Sequence, residues 1–140
     1  MAGNAGKPVH KPIQPDSFDI PRGHYSPGYQ VGNMLFISGQ LPIAKGTVPD
    51  ASMSFEAQVR LVLANIRTVV EAAGGSLNDI AKVNAYVTDV ALWPEFNRIY
   101  AEVFGAHKPA RAVVPVPALN YGMKLEVEAV AVLANAGEAR

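Results

Sequence analysis

The chain has 140 residues, 49% of them hydrophobic, which suffices for one globular domain with a real core and leaves too little for a second. Lys and Arg number 12 together, as do Asp and Glu, so the formal charge is zero and no long-range field draws the protein to nucleic acid or an anionic membrane. The absence of cysteine excludes disulfides and thiolate metal sites, and no apolar run reaches transmembrane length. The opening segment, MAGNAGKPVHKPIQPDSFDIPRG, lacks the apolar stretch of a signal peptide, and a cytoplasmic protein is expected.

Residues 1–22 carry Pro8, Pro12, Pro15 and Pro21 and read as a flexible or polyproline-like arm, unable to form a helix or a central strand. From Tyr29 the run YQVGNMLFISGQL gives a strand, a Gly32-Asn33 turn and a second strand, Met34 to Ile37, closed by Ser38-Gly39-Gln40. A third strand of this hairpin is expected near Ile43 to Val48. Ser54 suits an N-cap, Glu56 the first turn, and Phe55, Val59, Val62, Leu63, Ile66, Val69 and Val70 follow at helical spacing until Gly74-Gly75 stops the helix. Ile80 to Thr88 alternates as a strand, with Val83, Ala85 and Val87 on a dry face and Asn84, Tyr86 and Thr88 on a mixed one. Pro94 begins a second helix, whose stripe of Phe96, Ile99, Tyr100 and Val103 ends at Phe104-Gly105.

Two last strands, Ala110 to Val116 and Met123 to Leu133, carry charge where a buried strand should not. Arg111 is the only charge in the first, while Glu126 and Glu128 share one face of the second. If these strands pair antiparallel across Pro117 to Gly122, Arg111 lies opposite Glu128 and diagonal to Glu126, either as a structural ion pair or as a site. The order is thus β-β(-β)-α-β-α-β-β. Two helices cover one face of such a sheet and leave the other, with Tyr86, Thr88, Val130 and Val132, too apolar to be fully solvated; self-association is its expected cover.

The motifs GHYSPG…VGN, FISGQLP, EAQ…L.NI..V.EAAG, V..Y.TD, FN.IYAEVF, PAR.VV.V and LEVEAVAV run in order through nearly all of residues 23–133. With them the chain resembles the Rid family, also called the YjgF family, of imine and enamine deaminases. The resemblance implies an α+β, chorismate-mutase-like fold with one mixed sheet and two helices on one face, in a domain spanning residues 23–134 with a short tail at 135–140. It further implies a homotrimer whose sheets form a central barrel, with three sites in clefts between neighbouring subunits and no cofactor. By the same resemblance Arg111 matches the arginine that holds a substrate carboxylate, and Glu126 the carboxylate that handles the catalytic water. Tyr25, Ser38, Gly39 and Asn97 match cleft-lining positions, and Val113 stands where many members have a cysteine. The chain departs from the family pattern at Ser26-Pro27, where Ser-Gln is common, and at NYGMKLE before the last strand. Those departures bear on substrate choice more than on reaction class.

A 2-imino acid is hydrolysed by a cation that orients its carboxylate, a base that helps water attack C2, and an acid that releases ammonia. Arginine supplies the first through a planar fork that lysine lacks, and a glutamate moves the proton. Two other readings stand beside this one: a trimeric small-carboxylate binding protein without turnover, and the RNA-cleaving translation inhibitor named in the same family. The absence of a basic stripe speaks against the second. His10, His24 and His107 lack ligand spacing, so no metal site is expected.

Overall fold

In a computed structural model, residues 6–134 are described; residues 1–5 and the tail at 135–140 lie outside them. Six strands form one mixed sheet in the order β1-β2-β3-β6-β4-β5: β1 His10–Ile13, β2 Gly28–Val31, β3 Met34–Gln40, β4 Ile80–Val87, β5 Ala110–Pro115 and β6 Leu125–Val132. Helices α1 (Phe55–Ala72) and α2 (Trp93–Phe104) complete the fold.

The β2–β3 hairpin forms as the sequence dictates, with Gly32 at φ 58° in the first turn position, where a side chain would be strained. Ser54 caps α1 by accepting a hydrogen bond from the Ala57 amide. At its other end Gly74, at φ 89°, lets the Gly74 and Gly75 amides reach the Glu71 and Val70 carbonyls, a double bond pattern that closes the last turn. Pro94 occupies the first turn of α2, as expected. Arg60, Arg98, Glu56 and Glu102 link the exposed sides of the two helices, with the shortest pair at 2.7 Å.

The core lies between the helices and one sheet face. It holds Leu35 and Ile37 of β3, Val83, Ala85 and Val87 of β4, and Leu125, Val127, Ala129 and Ala131 of β6, all buried against the apolar stripes of α1 and α2. The opposite face presents Tyr29, Phe36, Val114 and Val132, each 40–46% exposed, beside Asn84, Tyr86, Glu126 and Glu128.

Three expectations are corrected. The proline-rich arm is not wholly irregular: His10–Ile13 pairs antiparallel with β2, and Ile13 is buried in the core. Pro12 is tolerated because β1 is an edge strand, where a missing N–H breaks no interior ladder. The extra hairpin strand therefore precedes β2, and Ile43 to Val48 is a loop, turned by Gly46 at φ 72°. The last two strands do not form a hairpin. β5 returns through α2 to lie parallel to β4, the outcome a strand–helix–strand crossover dictates, and β6 inserts between β3 and β4, antiparallel to both. Arg111 consequently aligns with Val83 and not with Glu128.

Candidate active site

The register of β6 places Glu126 against Tyr86 and Glu128 against Asn84, all on the sheet face away from the helices. Glu128 is anchored: the Tyr86 hydroxyl donates to its Oε2 at 2.6 Å and Asn84 Nδ2 at 3.2 Å. That carboxylate in turn holds the Tyr86 hydroxyl protonated to higher pH than usual, reinforced by burial. Glu126, half-buried, has no side-chain hydrogen bond among the described residues. Burial raises its pKa above the ordinary glutamate value, and the charge of Glu128 two residues on adds to the rise. A carboxylate left unpaired and made more basic than usual is suited to accept a proton.

Glu126 and Glu128 open onto a cleft of about 680 Å³, which Tyr25, Ser38 and Gly39 also line. The ladder between β3 and β6 shifts register between Ile37 and Gln40, so Ser38 and Gly39 sit in an irregularity beside Glu126. A Cβ at Gly39 would collide with Glu126 Oε2 and lie 3.1 Å from its Cδ, so glycine is what admits the carboxylate there. Ser38 holds the Tyr25 loop to this bulge: its Oγ donates to the Ser26 carbonyl at 2.7 Å and its amide to the Pro27 carbonyl at 2.9 Å. The hydroxyl is thus engaged in a structural bond, and among the described residues no hydrogen bond joins it to Glu126 to make it a nucleophile.

Two buried polar residues of α1, which helical periodicity does not single out, tie neighbouring backbone to the helix, and Asn65 lines the same cleft. Asn65 Nδ2 donates to the Leu41 and Ile43 carbonyls at 3.2 and 3.1 Å, fixing the loop that walls the cleft. Gln58 accepts from the Lys124 amide at 2.9 Å and donates to the Met53 carbonyl at 3.2 Å, tying the start of β6 to the helix. Their spacing of seven along one helix face was the available signal.

Arg111, Val113 and Asn97 are not in this cleft. Arg111 aligns with buried Val83 and Val113 with buried Ala85, which puts both on the helix side of the sheet, at its β5 edge. The Arg111 guanidinium lies 4.7 Å from the ring centre of Tyr100 and 5.6 Å from that of Phe96, both on α2, within cation–π reach of each ring. No carboxylate pairs with it among the described residues. Tyr100 is buried, its hydroxyl has no hydrogen-bond partner among the described residues, and burial pushes its pKa up to about 12 even though Arg111 pulls the other way. Asn97 sits half-buried on α2 beside Phe96. The sequence-derived site residues thus fall into two groups, separated by the sheet: Tyr25, Ser38, Gly39 and Glu126 on one side, Arg111, Val113 and Asn97 on the other.

The family model described as Endoribonuclease L-PSP matches residues 18–133. A RutC family protein of Pyrococcus horikoshii is 44% identical over 79% of this chain and 88% of its own length. TdcF of Escherichia coli, provisionally named a reactive intermediate deaminase, is 37% identical over 79% of this chain and 87% of its own. The crystal structure of E. coli TdcF with bound serine superposes with a TM-score of 0.81 at 35% identity, covering 89% of this chain and 99% of that one. On the matched family model, the relatives and the shared α+β architecture, the chain belongs to the YjgF/Rid family.

Proposed function

We propose that the protein hydrolyses reactive 2-imino acids, and their enamine tautomers, to 2-keto acids and ammonia. The observation that carries this reading is the division of the site residues by the sheet. Among the described residues a proton-accepting carboxylate lies without a partner on the open face, and a carboxylate-binding guanidinium lies without one on the helix side of the β5 edge. Each is half of what the reaction needs. They complete one another when the β5 edge of a second copy lies over the open face of the first, a head-to-tail contact that closes into a ring. A homotrimer with three intersubunit sites satisfies this and covers Tyr29, Phe36 and Val132 as well.

In that composite site Arg111, placed against Tyr100 and Phe96, grips the substrate carboxylate through two N–H donors. Glu126 takes a proton from water as the water oxygen bonds to C2 of the protonated imine and the C=N π pair moves to nitrogen, leaving a neutral carbinolamine. It then returns that proton to nitrogen, the C2–N bond breaks as ammonia leaves, and the carbinolamine hydroxyl gives its proton to the freed Glu126 carboxylate as the carbonyl forms. The keto acid departs unchanged in its carboxylate, and the steps consume no cofactor. The serine bound to TdcF is a carboxylate ligand of the size this reading requires.

The test is ammonia release from freshly generated 2-iminopropanoate. The wild type is expected to accelerate it well above the buffer rate, and Arg111→Lys to keep the assembly but lose most of the rate, because a point charge lacks the fork. A carboxylate-binding protein without turnover would bind the keto acid and leave the buffer rate unchanged.

A further inference from the structure

We propose that the Asn120-Tyr121-Gly122 turn selects 2-imino acids with large apolar or aromatic side chains, Tyr121 being the wall against which that side chain packs. The proposal rests on the functional reading above and concerns the same cleft. Tyr121 stands at φ 62°, in the left-handed region, with Gly122 following at φ 71°. Glycine and asparagine adopt this conformation far more readily than an aromatic residue does. Both flank Tyr121, yet the aromatic residue takes the strain. Packing does not offset it: Tyr121 is 52% exposed and its side chain makes no hydrogen bond among the described residues. A local conflict of this kind is expected where a side chain is kept for function.

The position agrees. Tyr121 lines the cleft that holds Glu126, together with Tyr25, Leu41, Ile43 and Pro49. At about 680 Å³ the cleft lies in the range that receives whole drug-sized ligands, whereas a three-carbon imino acid has six heavy atoms. The cleft of the single chain thus exceeds what a three-carbon imino acid fills, and Tyr121 stands on its wall where an apolar side chain can pack.

The experiment generates imino acids in the assay from D-alanine, D-leucine and D-phenylalanine with D-amino-acid oxidase and catalase, and reads ammonia release above the uncatalysed rate. The expected kcat/KM for the phenylalanine-derived substrate exceeds that for the alanine-derived one by about tenfold or more. Tyr121→Gly removes the strain, so its Tm should equal or exceed that of the wild type while this ratio collapses by at least about fivefold. Tyr121→Phe should keep the ratio. A wild type that favours the alanine-derived substrate, or a Tyr121→Gly variant whose ratio is unchanged or whose Tm falls, overturns the assignment and leaves the deaminase reading standing. Absence of ammonia release from all three substrates overturns the deaminase reading itself, and the selectivity with it.

Discussion

The two faces of strand β6 differ sharply in burial and chemistry. Leu125, Val127, Ala129 and Ala131 point into the core and are almost wholly buried, while Glu126, Glu128, Val130 and Val132 alternate with them on the open face. One strand therefore divides the work: its inner residues hold the sheet to the helices, and its outer residues present carboxylates at one end and apolar surface at the other. The outer face is itself graded. Glu126 and Glu128 meet the cleft, whereas Val130 and Val132 align with Phe36 and Met34 to form the apolar part that a second copy would cover. The contrast teaches that an alternating strand can separate stability from function residue by residue, so neighbouring substitutions should fail in different ways.

The sharpest way to break the contrast is to disturb each face in turn. Leu125→Ala removes fully buried core volume and should cost about 2–5 kcal/mol of folding stability, read from denaturant unfolding. Its neighbour Glu126→Gln should unfold no more easily yet release ammonia at least about 100-fold more slowly while still binding a stable keto acid. Further along the same outer face, Val132→Asp should leave the secondary structure intact and dissociate the assembly, seen by light scattering as a fall toward one chain mass. If instead Val132→Asp stays associated, the open face is not the interface.

A smaller effect concerns pH. The raised pKa of Glu126 means its stability contribution is fully present below the unfolded-state value and is lost as pH rises through the folded-state value. The wild type should therefore gain stability relative to Glu126→Gln as pH falls through that window. The catalytic acid limb runs the other way, because the base is lost as Glu126 is protonated. Smallest of all, Glu128→Gln should leave the neutral-pH rate within about threefold while moving that acid limb to lower pH, since one cause of the raised pKa is gone. An unmoved limb would show that burial alone sets the proton affinity of Glu126.

Local pattern made most elements legible in the sequence. The β2–β3 hairpin, the Ser54 cap, the Gly74-Gly75 stop, β4 and α2 follow from turn chemistry and periodicity that a short window contains. What was not legible was non-local. Whether β5 pairs with β6 or returns alongside β4 depends on where α2 packs, and no periodicity within residues 109–134 records that. The expected Arg111–Glu128 opposition failed for this reason. β1 was hidden because prolines disfavour strands in general, although an edge position lifts the penalty for Pro12. At the site, motif matching located Glu126, Ser38, Gly39 and Tyr25, which the fold brings to one cleft. The motif EAQ…L.NI contained Gln58 and Asn65 without revealing their bonds to the backbone, and the NYG turn stood out as a departure bearing on substrate choice without revealing the left-handed backbone of Tyr121.

Subunit mixing tests the composite site most directly. Arg111→Ala and Glu126→Gln chains, each inactive as a pure assembly, are unfolded together in equal amounts and refolded. If each site takes its arginine from one copy and its glutamate from the next, random assembly restores both groups in about a quarter of the sites, and the mixture should recover about a quarter of wild-type ammonia release. If arginine and glutamate act within one chain, every site lacks one of them, and the mixture stays as inactive as its components.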